Sequence, residues 1–296
     1  METQPVLSLQ HLEKKYREFR LNIESLCLER GSILGLIGPN GAGKTTTVKI
    51  LMNMIRRSGG EVRVLGLNPR KDEKEIKQRV GYVGEEPAFY GDKTVDWTGK
   101  YVSGFFRKWD TNRFQELLDR FAISRSKKIQ ELSKGMKVKL ALALALSHDA
   151  EFYILDEPTA GLDPIIRREV LELLLAESRE HERSVLISSH ITDDISRLAD
   201  RIAFLVEGRV VLSRLKDDIN ADWKKIHYKR GALDKDTTAS LFSRKEHAFS
   251  LSGITNKFQE LKQKFEKPVL DGDVKVENVD LDDILIALVE GEKSCG

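Results

Sequence analysis

The most informative segment of the chain reads Gly38-Pro39-Asn40-Gly41-Ala42-Gly43-Lys44-Thr45, which fits the pattern G-x-x-x-x-G-K-[ST] at every specified position. It follows a continuous apolar run at 33–37, which predicts a buried strand. After it, Val48, Leu51, Met52 and Ile55 repeat at helical spacing. A glycine-rich turn between a strand and a helix closes backbone N–H groups around phosphate oxygens, and the helix directs its positive end there. The segment therefore predicts a site for a nucleoside triphosphate.

Two side chains of this loop have predicted roles of their own. Lys44 supplies a cation to the β- and γ-phosphates, and the Thr45 hydroxyl is suited to ligate Mg²⁺. The pattern alone does not separate kinases, GTPases and motor ATPases, because all of them share it. The remaining predicted nucleotide contacts are Gly38, Pro39, Asn40, Gly41, Ala42, Gly43 and Thr46.

A pair of acids ends a second predicted strand. The apolar run at 152–155 is followed directly by Asp156 and Glu157. In doubly wound α/β folds, ligands bind at the carboxyl ends of the strands. We therefore predict that Asp156 belongs to the Mg²⁺ shell and that Glu157 is the general base, or the group that orients the attacking water.

The other patterns predict an α/β fold with two additions. Apolar runs indicate a strand at 185–187 and a hairpin at 202–212, and these complete an α/β phosphate-loop core with a mixed sheet over residues 1–214. Residues from about 94 to 148 predict a helical subdomain insert, in which Asp110 is a helix N-cap and 137–146 is a buried helix. Residues 215–296 predict a small C-terminal α+β appendage that ends in a helix.

Composition and charge limit the function further. Lys and Arg total 49 against 47 Asp and Glu, so the net charge of +2 gives no case for nucleic acid as a partner. Cys27 and Cys295 form no disulfide framework, which favours a reducing cytosol, and Cys27 is expected to be a small buried hydrophobe. The longest apolar run, 140–146, is far shorter than the roughly 20 residues of a membrane span. We therefore expect a soluble, cytoplasmic chain whose membrane role is peripheral or depends on a partner.

Four further motifs follow the phosphate loop in order. With them, residues from about 6 to 212 resemble the ATP-binding subunits of ABC transporters, and within that family the bacterial ABC-2-type exporter ATPases. The resemblance implies ATP and Mg²⁺ as cofactors and hydrolysis coupled to transport. It also implies a peripheral place on the inner face of the plasma membrane and export through a separate membrane-spanning subunit. It also implies a homo- or heterodimer with two nucleotides between the subunits. The motifs are Leu132-Ser133-Lys134-Gly135-Met136-Lys137, Asp156-Glu157-Pro158-Thr159, Gly161-Leu162-Asp163-Pro164 and Ser188-Ser189-His190.

The resemblance also implies roles for individual residues. Ser133 and Gly135 match the signature motif, which contacts the γ-phosphate bound by the opposite subunit. Asp163 matches an aspartate that bridges the two subunits, and His190 matches the switch histidine that hydrogen-bonds the γ-phosphate and water. Tyr16 matches the aromatic residue that stacks on adenine.

The sequence departs from the family pattern at two motifs. Glu85 stands where the family usually has a glutamine that touches Mg²⁺ and water. A glutamate is a hard oxygen donor and can ligate Mg²⁺, so Glu85 is a predicted metal and catalytic residue, although it adds negative charge near the γ-phosphate. In the signature motif, Lys134 replaces a glycine and Met136 replaces a glutamine.

A docking groove for the membrane subunit is the last expectation. The family implies that it lies between the α/β core and the helical insert, and exposed aromatic residues often mark such interfaces. We place it at Pro87, Ala88, Phe89 and Tyr90 on one side and at Tyr101, Phe105 and Phe106 on the other. Inward packing of Phe89 and Tyr90 is the alternative.

A soluble ABC-type ATPase that acts on ribosomes or nucleic acid is the alternative function. The ribosomal type usually carries two cassettes, whereas this chain has one phosphate loop. The DNA-repair type interrupts its cassette with a long coiled coil, and no sustained heptad run occurs between Gly43 and Leu132. These features favour the transporter.

Overall fold

The computed structural model describes residues 4–246 and 250–294, so Cys295 lies outside the described part of the chain. The chain divides into two compact units, one ending at Val210 and the other starting at Val211. Within the described residues, none of the helices combines the length and the apolar character that crossing a bilayer requires.

The first unit is built on a six-stranded sheet in the order β5-β6-β7-β3-β8-β9. Its strands β5, β6, β7, β3 and β8 run parallel, and β3, β6 and β7 are buried along their whole length, as continuous apolar runs predict. The strands are β3 (Ile33–Ile37), β5 (Val80–Val83), β6 (Phe152–Asp156), β7 (Ser184–Ser189), β8 (Arg201–Val206) and β9 (Arg209–Leu215).

The parallel register brings the predicted site residues to one edge of the sheet. Asp156 at the end of β6 pairs with Ser188 on β7, and Ile37 at the end of β3 pairs with Ser189. Because parallel strands end on the same side, the loops after β3, β5, β6 and β7 converge there.

A second sheet of three antiparallel strands has the order β2-β1-β4, with β1 (Leu7–Lys15), β2 (Arg20–Leu28) and β4 (Gly59–Val64). Its apolar side chains alternate with polar ones and enter the same core as the main sheet. Cys27 is exposed, so the expectation of a buried cysteine is wrong. On β2 it lies between the buried Leu26 and Leu28, and alternation directs it to the opposite face.

Helices surround the sheets and form the predicted insert. The bounds are α1 (Lys44–Leu51), α2 (Glu73–Arg79), α3 (Val95–Ser103), α4 (Thr111–Arg120), α5 (Lys134–Ala145), α6 (Pro164–His181) and α7 (Thr192–Leu198). Asp110 caps α4 by accepting a hydrogen bond from the Arg113 N–H, as predicted. Helix α1 ends at Leu51, before the predicted Ile55, because Asn53 adopts a left-handed conformation with φ 54°.

The second unit contains a four-stranded antiparallel sheet in the order β11-β12-β10-β13. The succession β10-α9-β11-β12-α10-β13 with this order is the ferredoxin-like split βαβ arrangement. A small α+β appendage is therefore observed. Its elements are α8 (Lys216–Asp222), β10 (Lys224–Tyr228), α9 (Lys235–Ala239), β11 (Phe242–Glu246), β12 (Leu251–Thr255), α10 (Phe258–Leu270), β13 (Val274–Asn278) and α11 (Leu281–Ser294).

Candidate functional site

A cleft of about 380 Å³ opens where the parallel strands end. The loop between β3 and α1 forms one wall, and Glu85, Glu157 and His190 come from the ends of β5, β6 and β7. The structure therefore brings the phosphate loop and three other predicted segments to one site. The lining residues of the loop and helix start are Pro39, Asn40, Gly41, Ala42, Gly43, Lys44, Thr45 and Thr46.

Two glycines of the loop have conformations or neighbours that exclude a side chain. Gly43 has φ 108°, in the left-handed region, immediately before α1 begins. A Cβ on Gly38 would lie 2.2 Å from the carbonyl oxygen of Leu205 on β8. The main chain of the loop is therefore held in a tight concave turn ahead of a helix N-terminus, which is the arrangement that binds phosphate groups.

Lys44 is a buried cation at the base of this turn. Its Nζ donates to the carbonyl oxygens of Gly38 at 2.7 Å and Pro39 at 3.3 Å. The same Nζ lies 3.2 Å from Oε1 of Glu157, and both side chains are only about one-twentieth exposed. The ammonium group therefore ties the phosphate loop to the end of β6.

Glu157 joins Lys44 to His190. Its Oε2 accepts hydrogen bonds from Nδ1 of His190 at 2.7 Å and from the His190 backbone N–H at 3.2 Å. Because a carboxylate only accepts, the hydrogen bond places a proton on Nδ1 of the imidazole. Glu157 has φ 51°, a conformation that is costly for a glutamate and that concentrates at functional sites.

Asp156 is held by a serine that sequence reasoning did not assign. The carboxylate is 1% exposed, and its Oδ1 accepts a hydrogen bond from Oγ of Ser188 at 2.6 Å. The same Oγ accepts from the Glu157 backbone N–H at 3.1 Å. Ser188 belongs to the Ser-Ser-His motif, but a serine on a buried strand carries no sequence signal for this bridging role. Burial raises the pKa of the nearby Tyr82, and the charge of Asp156 raises it further.

The donor set fits a magnesium nucleotide. Mg²⁺ prefers hard oxygen ligands and usually takes one or two carboxylates together with phosphate oxygens. Here Thr45, half-buried at the start of α1, and the exposed Glu85 line the cleft, while Asp156 is buried at the end of β6, one residue before the cleft-lining Glu157. The turn around Lys44 offers main-chain N–H groups and a cation for phosphates.

The signature residues lie on other elements of the same unit, and they are not part of the cleft lining described above. Ser133 is exposed and caps α5, where its Oγ accepts a hydrogen bond from the Met136 N–H at 3.2 Å. Asp163 is exposed and caps α6 by accepting from two backbone N–H groups at 3.1 Å. A Cβ on Gly135 would approach Cδ1 of Ile166 to 2.8 Å, so the starts of α5 and α6 are packed together.

An aromatic residue other than the predicted one lines the cleft. Among the described residues, Phe19 is part of the cleft lining and Tyr16 is not. Tyr16 is 48% exposed, its ring centroid lies 6.3 Å from that of Phe19, and Lys14 Nζ lies 4.9 Å above it. The two rings flank the turn between β1 and β2. Stacking of Tyr16 on adenine stays a prediction.

A separate, mostly apolar groove of about 480 Å³ lies between the α/β core and the helical insert. Pro87, Ala88, Phe89 and Phe106 line it, four of the seven residues that the sequence placed there. Tyr90, Tyr101 and Phe105 instead form an exposed cluster with Trp97, in which successive ring centroids are 5.0–6.1 Å apart.

His148 closes one end of this groove. It is 1% exposed, stacks on Phe106 with ring centroids 3.9 Å apart, and its Nε2 lies 3.2 Å from the carbonyl oxygen of Val80. Burial lowers the pKa of His148, although the carbonyl groups of Val80 and Leu144 act in the opposite direction. The imidazole is therefore neutral at physiological pH and donates from Nε2 to Val80.

Comparison with known proteins identifies the family. The model of the ABC transporter family matches residues 21–160. The chain is 33% identical over 217 residues to the ABC transporter ATP-binding protein YtrB of Bacillus subtilis, and the match covers 73% of each chain. It is 36% identical over 189 residues to the bacitracin transport ATP-binding protein BcrA of Bacillus licheniformis, and that match covers 62% of this chain and 61% of the relative. A solved ATP-binding subunit of an ABC transporter is 27% identical with a TM-score of 0.66, covering 73% of this chain and 92% of that one. The chain therefore belongs to the ATP-binding, ATP-hydrolysing proteins of the ABC transporter family.

Proposed function

We propose that this chain hydrolyses Mg²⁺-ATP in a closed dimer of ATPase subunits and thereby drives export through a separate membrane-spanning subunit. The observation that carries this proposal is the contact series from Lys44 through Glu157 to His190, at the mouth of a phosphate-binding turn. In this series the cation binds the phosphates, the carboxylate acts on the attacking water, and the imidazole stabilises the developing charge.

Each residue has a distinct chemical task in this proposal. Lys44 and the loop hold the phosphates, while Thr45, Asp156 and Glu85 hold Mg²⁺, which when bound neutralises the phosphate charge. Glu157 accepts a proton from water, and His190 holds the orientation of that carboxylate through its Nδ1–H.

The proposed dimer is supported by three predicted site residues that do not line the cleft, Ser133, Gly135 and Asp163. Ser133 and Asp163 are exposed at the starts of two adjacent helices, α5 and α6, and Gly135 lies between them. A helix N-terminus with exposed main-chain N–H groups suits the γ-phosphate of a nucleotide held by another protomer. We infer that these residues complete the site of a second subunit.

The groove beside Phe89 is the proposed contact for the membrane subunit. It is mostly apolar, and its lining includes Val80 and Val83 of β5, the strand that precedes Glu85. The relative BcrA is a bacitracin transport ATP-binding protein, which supports a role in transport here. The same contact would keep the chain at the inner face of the plasma membrane.

Co-purification with the membrane protein encoded beside this chain tests the proposal. Phe89→Ser should lose the complex because it removes an apolar wall of the groove. Leu270→Ser, which changes an apolar side chain that is 87% exposed in the second unit, is the matched control. Phe89→Ser must still bind ATP and unfold at nearly the parent temperature. Retention of the complex in a folded Phe89→Ser chain would contradict the assignment of the groove.

A further inference from the structure

A buried carboxylate outside the nucleotide cleft joins three segments of the site. Asp194 lies on α7, four residues after His190, and is 0% exposed. Its Oδ2 accepts a hydrogen bond from Oγ1 of Thr159 at 2.6 Å, and its Oδ1 accepts from Nε of Arg167 at 2.6 Å. Both oxygens of one carboxylate are therefore engaged by different segments.

The two donors lie next to residues with proposed catalytic or dimer roles. Thr159 is fully buried in the turn that follows Asp156 and Glu157. Arg167 lies on the first turn of α6, and its backbone N–H donates to the carbonyl oxygen of Asp163 at 2.9 Å. Asp194 thereby connects the turn after Glu157, the helix that starts at Asp163, and the helix that follows His190.

The network is sensitive to the loss of a single member. A buried carboxylate is tolerated when its oxygens are paired, and removal of one partner leaves an uncompensated polar group inside the protein. Glu157 and His190 are already joined directly by hydrogen bonds, and Asp194 adds the link from their segments to α6. A shift of one segment therefore moves the others.

We propose that Asp194 is a positioning residue that fixes Asp163 and His190 relative to Glu157. Its loss lowers turnover by impairing assembly of the closed dimer, and it leaves ATP binding by the single subunit intact. This inference rests on the function proposed above. It follows because the hydrogen bonds of Asp194 go to Thr159 and Arg167 and not to Lys44 or the phosphate loop, whereas Asp163 is proposed to meet the second subunit and His190 to orient Glu157 for hydrolysis.

The test compares Asp194→Asn and Arg167→Gln with Arg168→Gln. Arg168 is a matched control because it lies on the same helix and pairs with Glu172 at 2.8 Å on the exposed face. A misplacement of about 1 Å costs up to about 100-fold in rate, so we expect turnover to fall at least about 10-fold in both test variants and less than about 2-fold in the control. The protein concentration at half-maximal activity should rise by a similar factor. The Kd for ATP, measured on dilute protein, should stay within about 2-fold of the parent.

A double variant and a second background separate positioning from simple damage. In the double variant Arg167→Gln/Asp194→Asn, the amide N–H of the new glutamine can donate to the side-chain carbonyl oxygen of the new asparagine. The loss of turnover in the double variant should therefore be smaller than the product of the losses in the two single variants. In the Glu157→Gln background, ATP-dependent dimers should weaken with Asp194→Asn and persist with Arg168→Gln.

Two results would overturn the inference. The first is turnover in Asp194→Asn equal to that of the control. The second is a loss of ATP affinity and of the unfolding temperature in parallel with turnover, which would assign Asp194 a structural role only. The same experiments test the proposed function separately. That function would be refuted if the parent protein did not hydrolyse ATP, or if Glu157→Gln did not dimerise in the presence of ATP.

Discussion

Replacement of Glu157 by glutamine should tighten ATP binding while it stops hydrolysis. The carboxylate of Glu157 holds the ammonium group of Lys44 at 3.2 Å, and phosphates need the same ammonium group. Two unit charges at this distance attract each other by about 5 kcal/mol at an effective dielectric constant of about 20. Desolvation offsets most of this energy, which leaves about 1–2 kcal/mol of competition against the nucleotide.

The expected gain in affinity follows directly from that figure. A glutamine keeps the size of the side chain and loses its charge, so the Kd for ATP should fall about 5- to 30-fold. The same change removes the base that accepts the proton from water, and turnover should fall at least about 100-fold. Slow hydrolysis preserves the nucleotide-bound state, so dimers should accumulate when ATP is present.

Equilibrium titration with ATP and size-exclusion chromatography measure these effects. Glu172→Gln is the control, because it removes an exposed carboxylate that pairs with Arg168 on the surface of α6. An unchanged or weaker affinity in Glu157→Gln would show that the Lys44–Glu157 pair does not compete with nucleotide. Parental turnover would remove Glu157 from the role of base, and a chain that stays monomeric with ATP would count against the dimer.

Four other variants test the remaining parts of the site. Lys44→Ala should abolish tight ATP binding in an equilibrium titration, since it removes the cation of the phosphate loop, and an unchanged Kd would contradict that role. Ser133→Arg should block hydrolysis but leave ATP binding by dilute protein nearly unchanged, at a cost of about 1 kcal/mol in the free energy of unfolding from the lost helix cap. A parallel fall of binding and hydrolysis would argue against action on the second subunit's nucleotide. Glu85→Gln should retain or raise steady-state ATPase activity, and a large loss would mean that Glu85 is a required metal ligand. His148→Gln should flatten the pH dependence of stability in urea unfolding between pH 7 and about pH 5. Burial lowers the pKa of folded His148, so the unfolded state binds the proton first and the free energy of unfolding falls as the pH drops below about 6.5; an equal slope in both proteins would contradict this sign.

The parallel core and its site edge could be predicted because their signals are local. An unbroken apolar run such as Ile33–Ile37 indicates a buried strand, and the glycine-rich turn after it admits few other structures. Asp156 and Glu157 could be placed for the same reason, since they follow a strand of the same type.

The contacts between motifs could not be predicted in the same way. The bridge from Asp156 to Ser188 joins residues that are 32 positions apart and depends on the register of two parallel strands. Pattern analysis finds strands but does not give their register. The exposure of Cys27 shows a smaller error of the same kind, because composition favours burial while alternation along β2 turns that side chain outward.

Two adjacent aromatic residues near the groove, Phe89 and Tyr90, have different surroundings. Phe89 faces the groove, while Tyr90 is 59% exposed and meets Trp97 and Tyr101 edge-on. The sequence analysis placed both rings in the groove, with packing against the insert as the alternative, and the structure places Phe89 in the groove and Tyr90 against Trp97 and Tyr101 of the insert. Neighbouring side chains in an extended loop point to opposite sides, which the residue types alone do not reveal.

Two of the residues that depart from the family pattern, Glu85 and Lys134, carry opposite charges. Glu85 brings a negative charge to the cleft of its own subunit, where the phosphates are already anionic. Lys134 follows Ser133 at the start of α5 and is exposed, so it would bring a positive charge to the nucleotide of the second subunit. If the proposed dimer brings Lys134 of one subunit to the nucleotide of the other, its charge would offset part of the repulsion between Glu85 and the phosphates, and closure would then be favoured by the two residues together.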